Sequence, residues 1–379
     1  MNVKIPRDRL QWLVQTAARP VPSRTTMHSI KGCLVEATSD RLVFTGTNLD
    51  WGVRVSMEAQ VRQSGALVVS SKILDDVVRT MRSPEVELIL DESAWALTVK
   101  GDSSEMVLNA VPTDDFPEWP AVTDGTEVAL SGKLWRDLVR VGATCAVTNP
   151  ARPLWGACLV EFRDNKVVVV STDQFALSRA RSSVNSSDCQ AIVAASVLQD
   201  IARLTDTESG DRVRLNIGEN HMYVDTPDVS CFSRLISGQY YAYEQVIPRR
   251  FVTTVHIDTE GFLRAASRAA IVSSEDDRAM RVIVDGARQT LTVKAASSER
   301  GRMEEEIPCE IEGEPIEVWV QHKYIIQALG KIGTSTASIG MSGKASAMRI
   351  EPCPEEGAEE AEMEASYVVM PMSTPKGAF

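Results

Sequence analysis

Asp258–Val272, DTEGFLRAASRAAIV, reads as a helix with two chemically different faces. Phe262, Leu263, Ala266, Ala269 and Ala270 recur at helical spacing and form one apolar stripe, while Arg264 and Arg268, four apart, stand on another face. Such a helix packs on a sheet by one side and leaves its arginines free for another task. The same plan returns at Pro6–Ala18, Ser71–Met81, Gly132–Val141, Ser196–Leu204 and Gln321–Leu329. Their starts lie roughly sixty residues apart, the arithmetic of an internal repeat. Each helix carries a polar or basic row at spacing four: Gln11, Gln15 and Arg19; Asp75 and Arg79; Arg136 and Arg140; Gln199 and Arg203; Arg264 and Arg268; Lys323, Gln327 and Lys331. Asp75 is the acidic exception.

After each helix, short alternating or β-branched runs read as strands, for example Leu42–Thr47, Val86–Leu90, Val167–Ser171, His221–Asp225 and Met280–Val284. The half-unit is strand, helix, then about three strands, and Leu97–Lys100 with Ser103–Glu105 returns almost unchanged as Leu291–Lys294 with Ser297–Glu299. Six half-units pair into three similar domains of α+β class, expected at 1–124, 125–250 and 251–379. The joints fall in Pro112–Gly125, PTDDFPEWPAVTDG, and Ser237–Arg250, SGQYYAYEQVIPRR, where prolines and acidic turns interrupt the strands. Glu351–Glu364 is glutamate-rich and reads as a solvated loop, and Tyr367–Met372, YVVMPM, as a final strand with an exposed apolar end.

A chain of 379 residues exceeds what one core usually supports. With 44% hydrophobic residues and no apolar run of membrane-spanning length, composition is that of a soluble globular protein, and an amino terminus without an apolar signal core points to the cytoplasm. Seven scattered cysteines without a CxxC pair read as reduced thiols. The net charge of −12 excludes wholesale coating by nucleic acid, yet basic rows confined to the helices leave the acid for other surfaces.

Catalytic chemistry finds no foothold. His28, His221, His256 and His322 are dispersed, and Gly340–Lys344, GMSGK, has Ser338 where a phosphate loop needs its first glycine and no helix pattern behind it. Asp114–Asp115, Asp276–Asp277 and Glu304–Glu306 lack partners at metal spacing and read as solvated or ion-pairing surface. No metal and no cofactor are expected.

The chain resembles the bacterial DNA polymerase III β subunit family, the sliding clamps, over essentially its full length. The residues carrying the resemblance are Arg24 with the following TTMHSIKGCLVE, Thr45–Asp50 (TGTNLD), Asp115–Pro117, Thr172–Asp173 with Leu177, Gly238 with Tyr243, Val246 and Pro248, and Tyr367–Met372. The resemblance implies a DNA-clamp fold, a head-to-tail homodimeric ring that encircles double-stranded DNA without reading its sequence and tethers polymerase, with no catalysis of its own. It implies DNA contacts at Arg24, Asn149 and Arg152, joined by Arg79, Arg136, Arg140, Arg203, Arg264, Arg268, Lys323 and Lys331 from the helical rows. Ala195 and Ser196 stand where relatives carry a basic pair.

DNA polymerase III and the clamp loader are implied to insert a short peptide motif into an apolar cleft. Carried across, that cleft includes Trp155, Thr172, Leu177, Val246, Val368, Met370, Pro371 and Met372. Methionines suit a surface that must repack around several ligands. Here the chain departs from the family: TDGHRLA becomes TDQFALS, so that Gln174, Phe175 and Ala176 replace glycine, histidine and arginine, and Tyr241 takes a common proline position. Bulkier, less basic walls are expected to narrow the choice of peptide. Ring closure is expected around Ile271, Val272 and Glu304, Glu305 and Glu306, opposite an edge where Asp102 and Ser104 replace the family's arginines. A peptide-binding scaffold that no longer encircles DNA is the competing reading.

Overall fold

The computed structural model describes residues 1–121, 125–205, 212–274, 278–354 and 361–374. Asp276, Asp277, part of the first joint and the middle of the glutamate-rich segment lie outside the described residues. Among the described residues six α-helices form where the repeat puts them: α1 Arg7–Ala17, α2 Ser71–Thr80, α3 Gly132–Gly142, α4 Ala195–Leu204, α5 Thr259–Val272 and α6 His322–Ile332. Their ends follow local chemistry. Asp258 caps α5 by accepting the Gly261 N–H at 2.5 Å, Ser70 caps α2 through the Ile73 N–H, and Gly333, at φ 77°, stops α6 in the left-handed conformation that glycine adopts without a Cβ penalty.

Two compact units divide the chain by contact, one comprising Met1–Lys133 with Asp200–Leu235, the other Leu134–Gln199 with Ile236–Phe379. Each holds one long antiparallel sheet. In the first unit thirteen described strands run from Thr126–Ser131 at one edge to Gln60–Gln63 at the other. Val229–Arg234 pairs there with Trp51–Glu58, setting Ser233 opposite Trp51 and Val229 opposite Val55. In the second unit twelve described strands run from Cys189–Ala194 to Ile316–Gln321, and Ala176–Ser183 pairs with Glu364–Val369, setting Ala176 opposite Val369. Each unit thus joins strands from the middle third of the chain to those of a flanking third.

Helices cover the sheets by their apolar faces. In the first unit α1 and α2 pack on each other, with the Gln15 amide donating to Asp75 at 3.0 Å, and α1 lies over the strands Arg41–Thr47 and Trp51–Glu58. In the second, α5 and α6 pair and α5 buries Phe262, Ala265, Ala266 and Ala269. The expected stripe was one step off: Ala265 belongs to the core, and Leu263 and Ala270 are only half-buried. The positions i, i+3, i+4 and i+7 counted from Phe262 describe that face better.

Every helix is preceded by its strand, as the half-unit requires: Asn2–Pro6, Gly65–Val69, Thr126–Ser131, Cys189–Ala194, Thr253–Asp258 and Ile316–Gln321. The last strand differs from expectation. It runs Glu364–Val369 and ends before Met370, whose N–H donates to the Phe175 carbonyl at 2.9 Å, while the Met372 N–H donates to Trp319 at 2.8 Å. Pro371 has no N–H to continue the ladder.

Candidate functional site

The clearest concentration of expected site residues lies in the second unit, at the turn between the strands Lys166–Thr172 and Ala176–Ser183. Buried Thr172 donates its hydroxyl to the Ala176 carbonyl at 2.8 Å and accepts the Gln174 N–H at 3.0 Å. Asp173, 4% exposed, accepts the N–H groups of Phe175 and Ala176 at 3.0 and 2.9 Å, and its other oxygen accepts the Tyr324 hydroxyl of α6 at 2.6 Å. Burial, then that bond, pushes the Tyr324 phenol far up, so it remains the donor. Gln174 is left at φ 73°, a conformation costly for a residue with a Cβ.

Around this turn the apolar residues gather. Leu177 and Val368 lie in one core cluster with Tyr240, Tyr243 and Ile247, and Tyr241 packs against it. Phe175 (54% exposed), Val246 (51%) and Met370 (40%) stay open at the surface, a hydrophobic rim that a monomer gains nothing by exposing. Pro371 and Met372 are half-buried, and Ala176 is buried beneath the rim.

Trp155 belongs to the short 3-10 helix Pro153–Gly156 and is half-buried. Its indole N–H is buried and has no acceptor among the described residues. Arg152 lies over its ring, 4.4 Å from the centroid, and donates to the Gln174 side-chain oxygen at 3.2 Å. Sequence spacing gave no hint of that contact. It draws Arg152, expected as a DNA contact, to the cleft. Asn149 accepts the Ala151 N–H in the preceding turn.

The helical rows are exposed or half-buried, and less freely cationic than their spacing suggests. Arg79 pairs with Asp76 at 2.9 Å, Arg140 with Asp137 at 3.2 Å, Arg203 with Asp200 at 3.2 Å, and Arg264 with Glu260 one turn earlier. Arg136 lies 4.0 Å from Asp137, and Asp200 also reaches Arg19 at 3.4 Å. Exposed pairs of this kind contribute little stability, so they damp the local field more than they hold the helices. Even so, the six helices carry twelve Arg and Lys against six Asp and Glu, a net +6 in a chain of −12, which leaves −18 elsewhere. Arg24 is exposed in the first unit, Lys331 is exposed at the end of α6, and Lys323 holds its ammonium 4.2 Å from the Tyr324 ring centroid.

At the expected dimer edge Ile271 is 68% exposed and Val272 half-buried. The acids there already hold cations of their own chain. Glu304 pairs with Lys294 at 2.7 Å, Glu305 with Arg268, and Glu306 with Arg288 at 2.8 Å. Arg268 holds the Glu305 carboxyl below its usual range. In the first unit the strand Glu105–Val111 pairs with Gly65–Val69 only through Ala110 and Val111, leaving one edge of its earlier residues, exposed Val107 among them, without a described partner strand.

Burial pushes the thiols of Cys33 and Cys145 up to about 12, far from a nucleophile's range, and all seven cysteines are free. Among the described residues no group of three His, Cys, Asp or Glu could hold a metal ion. A cavity of about 290 Å³ in the first unit, lined by Pro120, Ala121, Gly218, Asn220, His221 and Tyr223, brings together no nucleophile and base.

Three family models cover nearly the whole chain: the N-terminal domain of the DNA polymerase III beta subunit over residues 1–120, its central domain over 129–241 and its C-terminal domain over 244–373. Curated relatives include the beta sliding clamp of Streptomyces coelicolor, 26% identical over 98% of this chain and 99% of the relative, and that of Halalkalibacterium halodurans, 23% identical over 93% and 96%. Among solved structures, the sliding clamp of Pseudomonas aeruginosa bound to griselimycin superposes with a TM-score of 0.91 at 25% identity, and that of Bacillus subtilis with 0.91 at 21%; each alignment covers 99% of this chain and 100% of the other.

Proposed function

The chain belongs to the DNA polymerase III β subunit family, and from that premise we propose that it is a sliding clamp: a non-catalytic processivity factor that encircles duplex DNA and tethers polymerase to it. The observation that carries this reading is the segregation of charge, net +6 on six helices that pack on their sheets by apolar faces, in a chain whose remainder sums to −18. Long basic side chains on exposed helix faces suit phosphates, bind without reading bases and weaken with salt. Enclosure makes such weak contacts sufficient.

On this reading the three domains are 1–124, 125–250 and 251–379, and two chains close head to tail. Arg24 and the helical arginines and lysines touch DNA. The exposed edge at Glu105–Asn109 and the apolar Ile271 support closure by strand pairing and burial, because Glu304–Glu306 are already neutralised within the chain. Polymerase and clamp loader enter at the rim of Phe175, Val246 and Met370, a surface that methionine lets repack around several peptides. A replication factor works beside the chromosome, in the cytoplasm of a bacterium.

The acids that shadow Arg79, Arg140, Arg203 and Arg264 favour a second reading, a peptide-binding scaffold that has given up the duplex. One experiment separates the two. Loaded onto primed circular DNA, a clamp stays bound at moderate salt and falls off when the circle is cut. Equal retention on circular and linear DNA, or none on either, rejects encirclement.

A further inference from the structure

The contact between Arg152 and Gln174 has a place in the cleft that no role discussed so far explains. Arg152 covers one face of Trp155, and its guanidinium is tied to the Gln174 side chain, 22 residues on. The Trp155 N–H on that ring is buried without an acceptor among the described residues, an unfavourable state for a donor. Gln174 itself occupies a left-handed position where the family usually has glycine, and a glycine there would have no side chain to reach Arg152. Nothing in the turn needs that amide: the turn is closed by Thr172 and Asp173 alone.

We propose that Gln174 is a specificity-determining residue of the peptide cleft, a latch that holds Arg152 shut over Trp155. A peptide that lies across Trp155 must first break the Arg152–Gln174 bond. Its reward is the stranded indole N–H, which a backbone carbonyl of the incoming segment can accept. Peptides anchored only at the Phe175 and Met370 rim do not meet this barrier. The cleft therefore discriminates by how far a partner segment reaches, a deepening of the clamp reading that rests on it.

Two variants test the latch in opposite directions. Gln174→Ala keeps the left-handed backbone problem but removes the amide; Gln174→Glu replaces a neutral acceptor by a carboxylate that grips Arg152 harder. The probe is a fluorescein-labelled decapeptide copied from the clamp-binding segment of a bacterial replicative polymerase, titrated by polarisation against the full-length protein. Q174A should bind it about fivefold more tightly and Q174E about fivefold more weakly than the natural chain, roughly the effect of one partly exposed charged hydrogen bond. Both shifts should vanish in an Arg152→Ala background, where the latch has nothing to hold. In the free protein, the Trp155 indole proton, assigned by its loss in Trp155→Phe, should exchange with solvent faster in Q174A and more slowly in Q174E. Shifts that persist without Arg152, or that run in the same direction for both substitutions, overturn the latch. Absence of peptide binding in every variant, with exchange rates behaving as stated, instead rejects the cleft as a peptide site and the specificity role with it, while the Arg152–Gln174 contact itself is upheld.

Discussion

The first unit turns at Thr47–Trp51 and the second at Thr172–Ala176, and bond for bond the two turns coincide. In each, the threonine hydroxyl donates to the fifth residue's carbonyl and accepts the third residue's N–H; the second side chain, Asn48 or Asp173, accepts the N–H groups of the fourth and fifth. The third residue is left-handed in both, Leu49 at φ 78° and Gln174 at 73°. The fourth residue's carbonyl then accepts from the facing chain, Asp50 from the Arg234 N–H and Phe175 from the Met370 N–H. Only the side chains hung on this frame differ. Asp50 and Arg234 stand where the second unit has Phe175 and Met370. Near the first turn Trp119 packs edge-on against Phe232, the partner of Gly52, with Arg54 above it, so the first unit sets indole and charge close to a turn where the second leaves Phe175 and Met370 open and apolar. A short polar pattern fixes the backbone, and the residues it leaves free decide whether a groove is available.

That comparison can be broken at its frame. Asp173→Ala takes the acceptor away from two backbone N–H groups and leaves the buried Tyr324 hydroxyl unpaired, so it should cost about 3–4 kcal/mol in urea unfolding, against about 1–2 for Asn48→Ala, which lacks such a tyrosine. Equal losses would mean that the bond to α6 contributes nothing. Next comes the rim: Phe175→Asp with Met370→Arg copies the first unit's charges into the second and should lower peptide affinity about a hundredfold by polarisation, worth about 2.7 kcal/mol, while leaving the unfolding midpoint nearly unchanged.

Smaller effects sharpen it further. Leu49→Gly and Gln174→Gly each relieve a left-handed side chain but add unfolded-state entropy, and should stabilise the two units by similar amounts, about 0.5 kcal/mol, in thermal scans. Least of all is the response to acid. Burial, then Arg234, lowers the pKa of His221 in the first unit; burial, then Arg278 and Lys323, lowers that of His322 in the second. A histidine depressed below 6.5 in the folded state gives its full contribution above that pH and loses it as the pH falls through the lower folded value. Each unit should therefore weaken modestly between pH 7 and 5, and His221→Gln should flatten that slope for the first unit alone.

Much of this was legible in the sequence because helical spacing and a sixfold repeat leave strong periodic marks. The helices, the strands behind them and the basic rows all follow from period alone. What period hides is pairing. Asp76, Asp137 and Asp200 stand three residues before their arginines, where a row read at spacing four passes over them, and Glu260 stands four before Arg264, one step beyond the start of a row counted from its cations. Glu304, Glu305 and Glu306 find their cations across strands and helices, where no local rule reaches. The equality of the two turns was out of reach for another reason: TNLDW and TDQFA share one letter, and hydrogen bonds recognise a short side-chain acceptor, whether amide or carboxylate, rather than a letter.

Asp200 sits between Arg19 and Arg203, one carboxylate answering two guanidiniums. On the proposed reading both arginines face the duplex, and a carboxylate that already holds them competes with phosphate, so that a single contact is brief and the acid governs ease of sliding more than strength of hold.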